Sequence, residues 1–125
     1  MKLKQLTITV LTFCIATVAR TRTAEAVSLT VIASGLDNAR GLSFSPDGAL
    51  YVTEAGSGGP GACVPSPGVP GTSLCYGSTG AVTRILNGQQ ERVLTGLPSI
   101  ALADGTESAG PQDIAFDSDG NAFLR

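Results

Sequence analysis

The residues of this chain that could do chemistry by their type and spacing are mainly carboxylates. In the segment "DSDGN", Asp117, Asp119 and Asn121 alternate as the first ligands of a calcium-binding loop do. Such a loop needs glycine at its sixth position, where this chain has Ala122. The segment "SPDG" at 45–48 has the same Asp-Gly pair without the other ligands. We therefore predict a tight turn here and identify no metal ligand or cofactor, with calcium as the alternative.

Histidine is absent from the chain, and this limits the catalytic chemistry available to it. Zinc sites, Ser-His-Asp triads and histidine general bases are excluded within this sequence, so we assign no catalytic residue. The formal net charge is −2, and both lysines, Lys2 and Lys4, lie at the amino terminus, so the rest of the chain is more acidic than the whole. An acidic surface repels phosphate backbones, and we predict no nucleic-acid partner.

The first 26 residues have the pattern of a secretory signal peptide. Basic residues precede an apolar run at 6–19, and Ala24-Glu25-Ala26 has the small-x-small pattern that signal peptidase reads. The run is shorter than the roughly 20 residues that a membrane span needs. We therefore predict cleavage before Val27, no stable membrane span, and a periplasmic or secreted protein.

Three cysteines occur, and Cys14 falls within the predicted signal peptide. The two that follow, Cys63 and Cys75, form an even number in an exported chain, which predicts a disulfide. The alternative is two free thiols. Closing so short a loop contributes about 3 kcal/mol by the loop-entropy relation.

One sequence pattern occurs twice, at 39–53 ("ARGLSFSPDGALYVT") and at 111–125 ("PQDIAFDSDGNAFLR"), an offset of 72 residues. In each copy, apolar residues alternate with small or polar ones on both sides of an Asp-Gly pair. This pattern predicts two short strands joined by a tight turn. Self-similarity of this kind is typical of repeat architectures.

Further strands are predicted between and before the copies. "AVTRIL" (81–86) and "QERVLTG" (90–96) flank Asn87-Gly88, a strong hairpin signal, and "SLTVIA" (28–33) reads as an outer strand. We thus predict an all-β fold in which 27–125 form the N-terminal part of a β-propeller. The first blade, a four-stranded antiparallel meander, spans about 39–97, and a second blade begins at about 111.

Two longer connections, 55–79 and 98–111, separate these strands. The first is rich in Gly, Pro and Ser, carries Cys63 and Cys75, and is predicted to be an insertion loop. In a meander both connections fall on the face opposite the tight turns, and long loops on a rigid scaffold often carry function.

Four residues at strand ends on that face are our candidates for ligand contact: Arg40, Glu54, Gln112 and Asp113. Charged side chains at strand ends also satisfy backbone groups and neighbouring charges. That local role is the alternative for all four residues.

Several segments in series resemble a known family: "GLDNARGLSFSPDGALYVTEAGSGG", "CYGSTGAVTRI", "QERVLTGLPS" and "AGPQDIAFDSDGNAF". They are similar to the N-terminal part of the ScyD/ScyE family of exported bacterial propeller proteins, and the resemblance covers 27–125. It implies a ring of about six blades in a longer protein. The chain departs from the family pattern at Gln112, where the "GP-x-DI" segment tends to have histidine.

These observations favour an exported binding or interaction scaffold whose partner is an unknown small molecule or a cell-envelope protein. The alternative is an accessory enzyme of propeller type, either related to pigments, as in scytonemin biosynthesis, or resembling a sugar oxidoreductase or lactonase. A third hypothesis is a truncated fragment that needs its remaining blades or self-association to fold, because repeats bury their cores against neighbours.

Overall fold

The computed structural model describes residues 27–125, and every regular element in that range is a β-strand. The predicted signal peptide, including Cys14, lies outside the described residues. Over the same range, there is no helix of the length and apolarity needed to cross a membrane. The strands are β1 (Ala39–Phe44), β2 (Leu50–Glu54), β3 (Cys63–Pro65), β4 (Ser73–Leu86), β5 (Gln89–Ala101), β6 (Ile114–Phe116) and β7 (Ala122–Leu124).

Four of these strands form an antiparallel meander in the order β1, β2, β4, β5. Strand β4 is long: its second half pairs with β2, and its first half pairs with the short strand β3. Strands β6 and β7 form a separate antiparallel pair. The predicted all-β class is confirmed, and with β3 the sheet that contains the meander has five strands.

The tight turns follow the predicted chemistry. Asn87 and Gly88 both have positive φ, 50° and 76°, as a type I′ hairpin turn requires, and they join β4 to β5. Gly48 donates its N–H to Ser45 O over 2.9 Å at a φ of 82°. Gly120 repeats this geometry at a φ of 84°. Glycine accepts such angles without the steric cost that a Cβ brings.

The two copies of the repeat also share one register. Strand β1 pairs Leu42 with Val52, and β6 pairs Ile114 with Leu124, which are the same positions shifted by the repeat offset. The predicted second hairpin is therefore confirmed, and it has the strand pairing of the first.

A small apolar core lies on one face of the meander. Leu50, Val52 and Ile85 form its buried cluster, and Ala33 and Leu36 pack against them from the segment before β1. Because alternate residues of a strand point to opposite faces, this places Glu54 on the same face as Leu50 and Val52.

The strand predicted at 28–33 is wrong, since these residues form no regular structure and are mostly exposed. The chain that follows is held by a side chain instead of a strand ladder: Gln90 accepts from the Ser34 N–H over 3.1 Å and donates to its carbonyl over 2.9 Å. An alternating pattern predicts burial of one face but does not supply a partner strand.

The insertion predicted as a loop at 55–79 is more ordered than expected. It contains β3 and the first seven residues of β4, because β4 and β5 continue past the end of β2 and pair with each other up to Cys75 and Ala101. The continued ladder gives backbone groups of this Gly- and Pro-rich segment regular hydrogen-bond partners.

Candidate functional site

The two long connections contact each other on one side of the molecule. Ser99 is buried, donates its hydroxyl to Ala55 O over 2.6 Å and accepts from the Gly58 N–H over 3.0 Å. Farther out, the Ser66 hydroxyl donates to a Glu107 carboxylate oxygen over 2.5 Å. We call residues 55–79 and 98–111 together the insertion face.

A disulfide closes the outer part of this face. Cys63 and Cys75 lie directly opposite each other on β3 and β4, with an S–S distance of 2.02 Å. The predicted disulfide is therefore confirmed. Beyond it, Ser66 donates its N–H to Thr72 O over 3.0 Å and closes the end of the hairpin.

Backbone packs directly on backbone at the root of the insertion face. A Cβ on Gly77 would collide with the carbonyl group of Gly58, and a Cβ on Gly59 would lie 2.7 Å from Gly77 Cα. Side chains at these positions would push residues 56–61 away from β4. Glycine is therefore needed here for close approach.

The second connection folds into its own small hairpin. Ile100 and Ala109 exchange two backbone hydrogen bonds of 2.8 Å. Asn38, at a φ of 54°, donates from its side-chain amide to Gly105 O over 3.0 Å and to Gly56 O over 2.9 Å. One asparagine thus joins both connections to the chain just before β1.

Arg40 lies at the base of this second hairpin. Its Nη2 donates to the Ser108 carbonyl over 2.7 Å and contacts the Ser108 hydroxyl at 3.0 Å. Ser108 is itself buried, so this contact fixes residues 98–111 against β1. The geometry gives Arg40 a positioning role at the insertion face.

Glu54 is fully buried, and its carboxylate accepts four hydrogen bonds. Oε1 accepts from Thr83 Oγ1 over 2.5 Å and from Arg92 Nε over 3.1 Å. Oε2 accepts from Arg92 Nη2 over 2.6 Å and from the Asp37 N–H over 2.6 Å. Burial alone would raise the pKa of Glu54, but these bonds outweigh it and hold the pKa below its usual value.

The same arginine reaches back to the segment before β1. Arg92 Nη2 also lies 3.1 Å from Gly35 O and 3.2 Å from Asp37 Oδ2. Glu54, Thr83, Arg92 and Asp37 form what we call the Glu54 cluster. It fastens the segment that covers the core to both β2 and β5, so the carboxylate of Glu54 is used internally.

Gln112 and Asp113 are exposed, and the backbone of Gln112 connects the two sheets. The Gly41 N–H donates to Gln112 O over 2.9 Å, and the Asp113 carboxylate accepts from the Ile114 N–H over 2.9 Å. A Cβ on Gly41 would collide with Asp113, so glycine is required where β1 meets this segment.

The four candidates therefore do not form one site. Arg40, Gln112 and Asp113 lie where β1 adjoins the segment before β6, whereas Glu54 points to the core face of the sheet. Tyr51 lies on the opposite face of this sheet, and the centre of its ring is 4.8 Å from that of Phe116.

Sequence reasoning missed the partners of these residues. Arg92 is 38 positions from Glu54, and Ser108 is 68 from Arg40. The sequence predicted only that Arg92 lies in the strand at 90–96, and it gave no sign of a contact with Glu54. No local pattern distinguishes Ser108 or Asn38 from other polar loop residues.

The calcium-like segment is used as a turn. Asp117 accepts from the Asn121 N–H over 2.8 Å and from its side-chain amide over 2.7 Å. Hydrogen bonds from Asn121 lower the pKa of Asp117. Within residues 27–125, no group of three or more His, Cys, Asp or Glu side chains is placed to hold a metal ion.

An apolar cleft of about 350 Å³ opens on the insertion face. Its walls come mainly from the ends of β4 and β5, the residues before β6, and β7; the larger apolar side chains are Tyr76, Leu97, Ile100, Pro111 and Leu124. The volume falls within the range of small-molecule sites. None of the four predicted contact residues lines it.

No protein-family model matches the chain, and comparisons with curated proteins and with solved structures found no match.

Proposed function

We propose that residues 27–125 are built as β-propeller blades, similar to those of the ScyD/ScyE family, and that they form an exported binding scaffold. The ligand contacts are made by the insertion face, chiefly in its apolar cleft. The ligand is a small, largely apolar molecule, and a cell-envelope protein is the alternative partner.

The relation between the two hairpins supports the propeller part of the proposal. The innermost strands of consecutive blades lie side by side around the axis of a propeller. Here β1 adjoins the residues that lead into β6, through the 2.9 Å bond from Gly41 to Gln112. Tyr51 and Phe116 pack between the two hairpins at 4.8 Å.

The observation that carries the binding role is how the insertion face is held. Ser99 links the two connections at their root, Ser66 and Glu107 link them farther out, and a disulfide closes the hairpin between. Loops fixed in this way present a pre-organised surface, which lowers the entropy cost of binding. An apolar cleft with one aromatic wall suits a planar or apolar ligand.

An exported location fits this chemistry. Disulfides form and persist in oxidising compartments such as the periplasm and the extracellular medium. The bond between Cys63 and Cys75 therefore supports a periplasmic or secreted protein.

Titration of the ¹⁵N-labelled full chain with indole, as a neutral aromatic probe, tests the binding role by NMR. We expect saturable shifts confined to the amides that line the cleft, at residues 97, 99, 100, 109 and 110. Tyr76→Ala should raise the Kd for indole about tenfold, since losing a ring contact costs about 1.4 kcal/mol. Val64→Ala, at an exposed position outside the cleft, is the matched control. Shifts that do not saturate, or that spread evenly over the exposed apolar surface, would reject the cleft as a binding site.

A further inference from the structure

The Cys63–Cys75 bond lies apart from the sheet that carries the core. It joins β3, which is exposed along its whole length, to the first half of β4. Cys63 is exposed and Cys75 half-buried. The buried cluster of Leu50, Val52 and Ile85 lies against the other half of β4, where β2 pairs. An attacking thiol can therefore reach the disulfide without opening the core.

Few other interactions hold this hairpin in place. Backbone bonds join Gly61 and Ala62 to Tyr76 over 2.8 and 3.0 Å, and Ser66 to Thr72 over 3.0 Å. Among the described residues, β3 pairs with β4 alone. Segments with few buried apolar contacts and exposed backbone hydrogen bonds open at low free-energy cost. Residues 61–72, which lie outside the β4–β5 ladder, are thus constrained mainly by the disulfide.

One side-chain contact links this hairpin to its neighbour. The Ser66 hydroxyl donates to Glu107, on the connection that Arg40 holds through Ser108. Any loss of order at Ser66 therefore releases Glu107 as well. The main sheet does not depend on that contact, because its own strand ladders lie elsewhere.

We propose that the Cys63–Cys75 disulfide exchanges with dithiols in the folded protein and acts as a redox latch on the insertion face. Reduction frees residues 61–72 and the contact to Glu107, while the meander of β1, β2, β4 and β5 stays folded. This inference goes beyond the binding role and does not depend on it.

The reaction is a two-electron thiol–disulfide exchange with a dithiol as reductant. A thiolate of the dithiol attacks Sγ of Cys63, the more exposed of the two residues, and the bond to Cys75 breaks. The electron pair leaves on Cys75 Sγ, which takes up a proton. The second thiol of the dithiol then attacks the mixed disulfide, releases the Cys63 thiol and forms the oxidised dithiol.

Native-state reduction of the oxidised full chain by dithiothreitol, quenched with iodoacetamide, tests the exchange. Trypsin cleaves after Arg40 and Arg84, so a single peptide carries both cysteines and gains two alkyl groups on reduction. We expect the rate of alkylation to exceed the rate of hydrogen exchange of the slowest β2 and β4 amides by about tenfold or more. The reason is that local opening costs less free energy than global unfolding. Alkylation at the same rate as those amides exchange would overturn the proposal.

Hydrogen exchange of the reduced and alkylated protein tests the latch itself. We expect lost protection at the amides of Gly61, Ser66 and Tyr76, with β2 and residues 81–86 still protected. The double variant Cys63→Ser/Cys75→Ser should show the same map and no response to dithiothreitol. Retained protection at those three amides, or loss of protection across β2 in either protein, would contradict the proposal.

Discussion

The hairpins β1–β2 and β6–β7 have the same turn, register and repeat pattern but very different surroundings. In the first, Val52 is 6% exposed, because β4 flanks β2 and the segment before β1 covers the core. In the second, the equivalent residue Leu124 is 41% exposed. Turn chemistry therefore sets strand pairing locally, whereas burial depends on neighbouring elements. Changes to the core should affect the two hairpins unequally, and changes to the turns should affect them equally.

The largest expected effect comes from the Glu54 cluster, which reaches the first hairpin through Glu54 at the end of β2. Glu54→Gln should lower the free energy of unfolding by about 2–3 kcal/mol, because it weakens a buried ion pair. This loss is modest for a buried ion pair because Arg92 is partly exposed. Chemical denaturation measures this change.

The matched control is Glu91→Gln, an exposed carboxylate on β5 that should change stability by less than about 0.5 kcal/mol. Equal losses in the two variants would mean that the Glu54 cluster does not stabilise the first hairpin.

The comparison is most direct at the equivalent positions Val52 and Leu124. Val52→Ala should cost about 2 kcal/mol by leaving a cavity in the core, whereas Leu124→Ala should cost less than about 1 kcal/mol. Leu124→Ala removes more atoms than Val52→Ala. A larger loss of stability for Val52→Ala can therefore only reflect the different surroundings of the two side chains. Denaturation curves with unchanged slopes would establish this order, and a larger loss for Leu124→Ala would reverse it.

The turns should respond alike. Gly48→Ala and Gly120→Ala each place a Cβ at a φ of 82° or 84°, and no atom beyond the adjoining residues lies within 4 Å of it. The cost is therefore conformational, at about 1–2 kcal/mol. Hydrogen exchange of the amides in each hairpin measures this loss of stability locally. Gly48→Asn should recover part of the loss, since asparagine tolerates this region. Unequal costs would show that more than the turn distinguishes the hairpins.

The smallest effect is a pH dependence of the first hairpin. The folded-state pKa of Glu54 is lowered, so the stability that its carboxylate contributes is complete above the usual glutamate pKa of about 4.3. That stability is lost as the pH falls through the lower folded-state pKa. The stability difference between the wild type and Glu54→Gln should therefore shrink on acidification in stability curves. A difference that grows at low pH would contradict this sign.

Sequence patterns predicted the parts of the fold that local chemistry decides. Asn87-Gly88 and the two Asp-Gly pairs fixed their turns, because few residues accept positive φ. The same reasoning predicted a strand at 28–33, where the side chain of Gln90 holds the following residue instead. A strand also needs a partner, and no local pattern supplies one.

The candidate site was predicted less well, since its contacts span long separations. Glu54 was identified as a strand-end carboxylate, but its burial depends on Arg92 and on the segment carrying Asp37. The extension of β4 along β5 brings Cys75 opposite Ala101, and only the folded chain shows how this makes the insertion face.

The Glu54 cluster also has a mechanical consequence. A pulling force applied at Val27 travels along the chain and meets the sheet at Ser34, which Gln90 holds. It then reaches Gly35 and Asp37, which Arg92 and Glu54 hold. The load then divides between β2 and β5, two strands separated by β4. Because each of these bonds from Arg92 or to Glu54 has an ionised partner, we expect them to resist such a force more strongly than neutral hydrogen bonds would.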